Sequence, residues 1–158
     1  MRRSIIGTGL ATAAAAVVGG AVSRDGVQNW YSQIRKPRYV PPNVAFPIAW
    51  TMLYVDIAAT SAATINRFRA GGDNGKARTY IAALGVNLML NAGFSWVFFN
   101  RHKTGQGALV AGLLAASSAD LVRRAADADL KLGVALAPYP LWCSFATVLS
   151  TDIWRLNR

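Results

Sequence analysis

Charge is segregated along this sequence, and that segregation limits its fold more than any other property. Five stretches, residues 5–22, 45–65, 79–99, 105–122 and 132–153, hold only three charged side chains, Asp56, Asp120 and Asp152. The other 21 charges fall in the short segments between them. A helix needs ~20 apolar residues to cross a ~30 Å hydrocarbon layer, and each stretch is close to that length. Backbone N–H and C=O groups find no water in hydrocarbon, so a span is either a helix or part of a closed barrel. The alternation of apolar and polar residues that a barrel strand requires is absent. The expected fold is therefore all-α: an integral membrane bundle of five helices that occupies residues 1–158 as one domain.

The chain is 53% hydrophobic, yet it carries 17 Lys and Arg against 7 acids, a net charge of +10. In a soluble chain that excess would suggest nucleic acid. Here the basic residues cluster at the ends of the stretches, as in Arg2-Arg3, Arg67/Arg69 and Arg123-Arg124. Such clusters orient spans and meet anionic headgroups, so lipid is the expected partner and nucleic acid is not. The lone Cys143 excludes an intramolecular disulfide and leaves no zinc spacing. His102, between Arg101 and Lys103, reads as a solvated loop residue. No Ser-His-Asp set, metal cluster or phosphate-binding loop can be assembled, so neither a catalytic nor a metal residue is expected. The first stretch has two readings. It is either a span or a signal peptide with a small-residue cleavage site at Ala21-Val22-Ser23, which would put the mature terminus near Arg24.

Between the first two stretches, residues 23–44 contain Trp30-Tyr31, Lys36-Pro37 and Pro41-Pro42, with Pro47 just beyond. Proline fixes φ and removes a donor, so this segment reads as a stiff arm. It is either an interfacial connector or a lid over the mouth of the bundle. Three spans carry stripes at helical spacing: Phe46, Trp50 and Tyr54; Asn87, Asn91, Phe94 and Phe98; Tyr139, Trp142, Ala146 and Leu149. Rings combined with sparse polar groups suit either aromatic packing between helices or a ligand pocket. In the fourth span, Gly107, Ala111, Ala115 and Ala119 recur every four residues, a spacing that lets membrane helices approach closely. Asp56 lies near mid-span, where an ionised carboxylate facing lipid is costly. It is a proton or cation site, or else it is paired or protonated.

The run Trp30-Tyr31, Ile34, Lys36-Pro37, Pro41-Pro42, Phe46-Pro47, Trp50-Thr51 and Leu53-Tyr54 resembles the translocator protein family, also called tryptophan-rich sensory proteins. The resemblance continues at Asn91 and Val97-Phe98-Phe99. It resumes at Pro138-Tyr139, Leu141-Trp142, Phe145-Ala146, Leu149 and Trp154-Arg155-Leu156-Asn157. It implies a five-helix bundle, commonly a homodimer, in a bacterial plasma membrane, with the first loop closing a pocket between the helices. It implies ligand contacts from Tyr31, Trp50, Tyr54, Asn91, Phe94, Trp142 and Ala146, with Pro42, Phe46, Asn87, Phe98 and Tyr139 as further lining. Porphyrin or haem is the implied ligand, and no cofactor is obligatory. The sequence departs from the family at Phe94, often Trp, at Trp96, near a usual Pro, and at Ser150, often Asn. No Tyr stands between Val148 and Arg155, which disfavours a sterol motif. The leading expectation is a tetrapyrrole receptor or carrier in porphyrin homeostasis or stress response. The alternatives are light- or oxygen-dependent porphyrin degradation and a small proton-coupled exporter using Asp56.

Overall fold

The computed structural model describes residues 2–158, without the side chains of residues 2, 3, 22–25, 27 and 28. The Arg2-Arg3 cluster and the Val22-Ser23 part of the cleavage reading lie outside the described side chains. Every regular element among the described residues is helical. Helix α1 (Arg2–Asp25) runs into a π-helical turn, Gly26–Trp30, followed by an arm without regular structure. Helix α2 is Ala45–Ala70, and α3 (Asn74–Ser95) continues into a second π-helical turn, Trp96–Asn100. Then come α4 (Thr104–Ala128), α5 (Leu130–Leu136) and α6 (Pro138–Asn157). Five segments are long and apolar enough to cross a membrane: Ser4–Ala21, Ala45–Ala70, Asn74–Asn100, Thr104–Ala128 and Leu130–Asn157.

The helices outrun the apolar stretches that mark them, and the expected loops shrink accordingly. The connection expected over 66–78 is only Gly71–Asp73, where Gly72 takes φ 80° and the Asp73 N–H donates to the Phe68 carbonyl at 2.8 Å. Arg67 and Arg69 stay helical in the last turn of α2, where positive charge suits the helix dipole. The connection expected over 123–131 reduces to Asp129 alone. Arg123 and Arg124 remain in α4, both bonded to Asp120, and Asp129 caps α5 by accepting from the Lys131 N–H at 3.0 Å. The first loop begins at Tyr31 rather than Ser23. Charged residues are sound helix formers once the helix reaches water, so loss of hydropathy does not mark a helix end.

The fifth span is broken by its own prolines. Pro138 and Pro140 sit in the first turn of α6, where a missing N–H costs nothing, so α5 stops at Leu136 and α6 begins two residues later. Helix α4 packs most extensively on α6, and α1 lies against α2 and α3. The small-residue stripe serves packing over its first three positions: Gly107 and Ala111 are buried and Ala115 packs against the core, whereas Ala119 is exposed. A side chain at Gly107 would collide with the Phe98 ring, its Cβ 2.6 Å from Cδ2. Hydroxyls stitch the remaining contacts. Thr8 Oγ1 donates to the Ala58 carbonyl at 2.9 Å, and the Ser61 and Tyr80 hydroxyls lie 3.1 Å apart. Leu10, Val17, Met52, Met89, Leu109 and Leu141 point outward. That surface would be a liability in water and is the normal lipid face in a bilayer.

Candidate functional site

The rings expected to face one another do so at one end of the bundle. A cavity of ≈ 490 Å³ opens there between α1, α2, α6, the C-terminal part of α3 and its π turn, beneath the arm. Phe46, Trp50 and Tyr54 line it from α2, since four-residue spacing keeps them on one helical face. Trp50 stacks on Tyr54, with ring centres 5.6 Å apart, and stands edge-on to Trp142 at 6.5 Å. Trp142 meets Phe46 at 6.0 Å and Phe145 at 5.5 Å. Phe94 and Phe98 stack at 5.5 Å to form the facing wall, and Ala146 leaves room on α6. Tyr31 closes the chamber from the arm. It is buried, it meets the Phe99 ring at 5.8 Å, and Lys36 Nζ lies 4.5 Å above its ring centre. Burial holds the Tyr31 phenol above its ordinary pKa of 10.0, so it presents a neutral hydroxyl.

Four expected lining residues stand elsewhere. Pro42 is exposed on the arm. Asn87, Asn91 and Tyr139 are almost wholly buried behind the wall, in a chain of hydrogen bonds that leaves the cavity at Tyr54. The Tyr54 hydroxyl donates to Asn91 Oδ1 at 2.7 Å, and Asn91 Nδ2 donates to the Tyr139 hydroxyl at 3.3 Å. Tyr139 donates to Asn87 Oδ1 at 2.7 Å, and Asn87 Nδ2 donates to the Ser117 and Ser118 hydroxyls, each at 3.2 Å. Both amides are thus spent on protein partners, as buried amides must be in a low-dielectric bundle. Their stripe position marks the protein-facing side of α3, but depth along the helix puts them beyond the cavity floor. By contrast, the Trp142 indole N–H is buried without an acceptor among the described residues.

Several wall residues carry little signal in the sequence. Phe99 lies off the stripe that contains Phe98, yet both line the cavity, because the π turn widens the helix at that point. A side chain at Gly26 would run into the Phe99 carbonyl, so glycine permits the backbones of the two π turns to touch. Ala16, Gly19 and Gly20 form the α1 side of the chamber, where their small size supplies volume. His102 is exposed, as expected, but it has φ 55° and its ring stacks on Trp30 at 4.6 Å.

The arm is fastened to the end of α6. The Arg35 N–H donates to Asn157 Oδ1 at 3.0 Å, and Asn157 Nδ2 donates to the Arg35 carbonyl at 2.8 Å. The Tyr39 hydroxyl donates to Asp152 Oδ2 at 2.6 Å, and this bond pushes the phenol pKa up to about 12. The arm contains tight turns, with the Val40 N–H on the Pro37 carbonyl and the Ala45 N–H on that of Pro42. Asp56 is not part of the wall. Its Oδ1 accepts from Thr60 at 2.9 Å, and its Oδ2 is buried without a protein partner among the described residues.

Comparison with known proteins agrees with this architecture. Residues 8–155 match the TspO/MBR family. Protein CrtK of Rhodobacter capsulatus is 33% identical over 138 residues, covering 87% of this chain and 83% of that protein. The tryptophan-rich sensory protein of Cereibacter sphaeroides is 30% identical over 152 residues, 95% of this chain and 89% of that protein. The tryptophan-rich protein TspO of Archaeoglobus fulgidus is 30% identical over 153 residues, 94% of this chain and 93% of that protein. With five helices able to span a bilayer and a match along nearly its whole length, the chain is an integral membrane protein of the TspO/MBR family.

Proposed function

We propose that this protein is a membrane receptor or carrier for tetrapyrroles such as porphyrin or haem, held in the aromatic chamber beneath the arm. The observation that carries the reading is the pairing of a ring-lined cavity of ≈ 490 Å³ with exposed basic residues on the arm above it. Trp50, Trp142, Phe94 and Phe98 offer flat apolar faces. Arg35 and Arg38 on the arm are exposed, and the described residues give neither an acidic partner, so both remain available for carboxylate side chains. A macrocycle with ring stacking along its body and two carboxylates at one edge matches that division between apolar and charged surface. The Trp142 N–H, lacking a protein acceptor, would meet an acceptor atom on the bound molecule.

The test is a porphyrin titration of the purified protein, followed by tryptophan quenching. Trp50→Ala/Trp142→Ala is expected to weaken binding at least ~100-fold, the loss of ~3 kcal/mol of ring contact. Unchanged affinity in that variant would end the proposal. The contacts among Trp50, Tyr54 and Trp142 favour a second reading, in which the bound porphyrin is oxidised by molecular oxygen under light in a reaction that needs Trp50 or Trp142. The same titration under illumination separates the two. Spectral loss of porphyrin that needs both light and Trp50 or Trp142 supports degradation, and a spectrum stable under light supports binding alone.

A further inference from the structure

A second cavity lies at the opposite end of the bundle from the aromatic chamber, on the outer face of α2. It measures ≈ 540 Å³ and runs from Ala59 past Ala63 and Asn66 to Ala70, flanked by Ile5 of α1 and Leu132 of α5. At 1.5 Å per residue, Ala59 to Ala70 spans ~16 Å. That is close to the ~15 Å depth of one leaflet of a ~30 Å hydrocarbon layer. Its floor is made of alanine methyls, so the groove is apolar and narrow. At its aqueous end stand one cation and one anion on different helices, Arg67 of α2 and Asp129 at the start of α5.

The nearest N–O distance between these two is 3.7 Å, with side-chain exposures of 64% and 33%. A charge-assisted hydrogen bond of full strength is ~2.7–2.9 Å long, so the pair is slack and keeps bonding capacity on both sides. Asp129 Oδ1 accepts from the Lys131 N–H, while Oδ2 faces Arg67. We propose that this groove is a site for a phospholipid with a primary-amine headgroup, such as phosphatidylethanolamine. One acyl chain lies on the alanine floor, the phosphate meets Arg67 and Asn66, and the ammonium meets Asp129. The charge order fits a zwitterionic headgroup. A purely anionic headgroup could also set its phosphate on Arg67, but it would bring no cation to Asp129 and would leave that carboxylate beside added negative charge. A quaternary amine would reach Asp129 without a hydrogen to donate.

Native mass spectrometry of the detergent-solubilised protein tests this with three lipids of equal chain length: phosphatidylethanolamine, phosphatidylcholine and phosphatidylglycerol. The wild type is expected to hold the ethanolamine lipid about tenfold more tightly than the other two. Asp129→Asn keeps the α5 cap and should abolish that preference, and Arg67→Gln should weaken all three lipids. Ala63→Phe should displace lipid of every kind while leaving porphyrin quenching unchanged, because its groove is remote from the aromatic chamber. Circular dichroism checks that each variant keeps its helix content. Equal retention of all three lipids by the wild type overturns the proposal. So does preference for phosphatidylglycerol, or an Asp129→Asn protein that still prefers the ethanolamine lipid.

Discussion

Asn91 shows how a polar residue in a membrane helix reads as a ligand anchor and acts as a strut. Both ends of its amide are occupied, by Tyr54 and by Tyr139, and its side chain lies behind the cavity. Replacing it with leucine would orphan the Tyr54 hydroxyl, at a cost of ~1–3 kcal/mol, and would leave Tyr139 with its bond to Asn87 alone. Asn91→Leu should therefore lower the melting temperature clearly while changing ligand affinity far less than Trp142→Ala does. A melt in which Asn91→Leu is as stable as the wild type would contradict that assignment. Phe98 and Gly107 make a second pair whose meaning lies in contact. A methyl at Gly107 would stand 2.6 Å from the Phe98 ring, which is 2% exposed and forms part of the wall. Gly107→Ala should cost ~1–3 kcal/mol as an overpacking change. It should also weaken porphyrin binding as the ring tips into the cavity, and a quenching titration alongside a thermal melt measures both.

At the scale of elements, the arm and α6 behave as one unit because Asn157 and Tyr39 join them. Removing both ties, with Tyr39→Phe and Asn157→Ala, should speed ligand release several-fold in stopped flow. The same variant should raise hydrogen exchange across residues 31–44. The pH dependence has a defined sign. The Tyr39 phenol donates only while protonated, and its pKa is raised from 10.0 to about 12. Its contribution is therefore complete below pH ~10 and is lost as pH rises through about 12. Arm exchange should be independent of pH between 6 and 9 as far as this tie is concerned, once corrected for intrinsic exchange chemistry. In the Tyr39→Phe protein the step near pH 12 should vanish. The prolines marked the arm in the sequence, but its anchor was not legible there, because Arg35 and Asn157 lie 122 residues apart in sequence.

Across the whole molecule, α1 is part of the chamber and not merely a membrane anchor. Ala16, Gly19 and Gly20 line the cavity, and Gly26 carries α1 against the Phe99 backbone. A protein made to begin at residue 24 would have a chamber open to lipid on that side. It should bind porphyrin at least tenfold more weakly than the full chain in the same quenching titration. Affinity equal to that of the full chain would remove α1 from the site.

Hydropathy and charge alone determined the five helices and their membrane location, because hydrocarbon forbids unpaired backbone and unpaired charge at every point along a span. Helical spacing alone also brought Phe46, Trp50 and Tyr54 onto one face, since 3.6 residues per turn is a local property. Tertiary structure decided the rest. The helix ends depend on where water begins, so charged residues near 66–70 and 123–128 stayed helical. The site depends on depth as well as facing: Asn87, Asn91 and Tyr139 point inward but lie beyond the cavity floor, where their hydrogen bonds are made with one another. Only packing could set that depth, and only packing could bring the two slack charges of Arg67 and Asp129 together over an alanine groove.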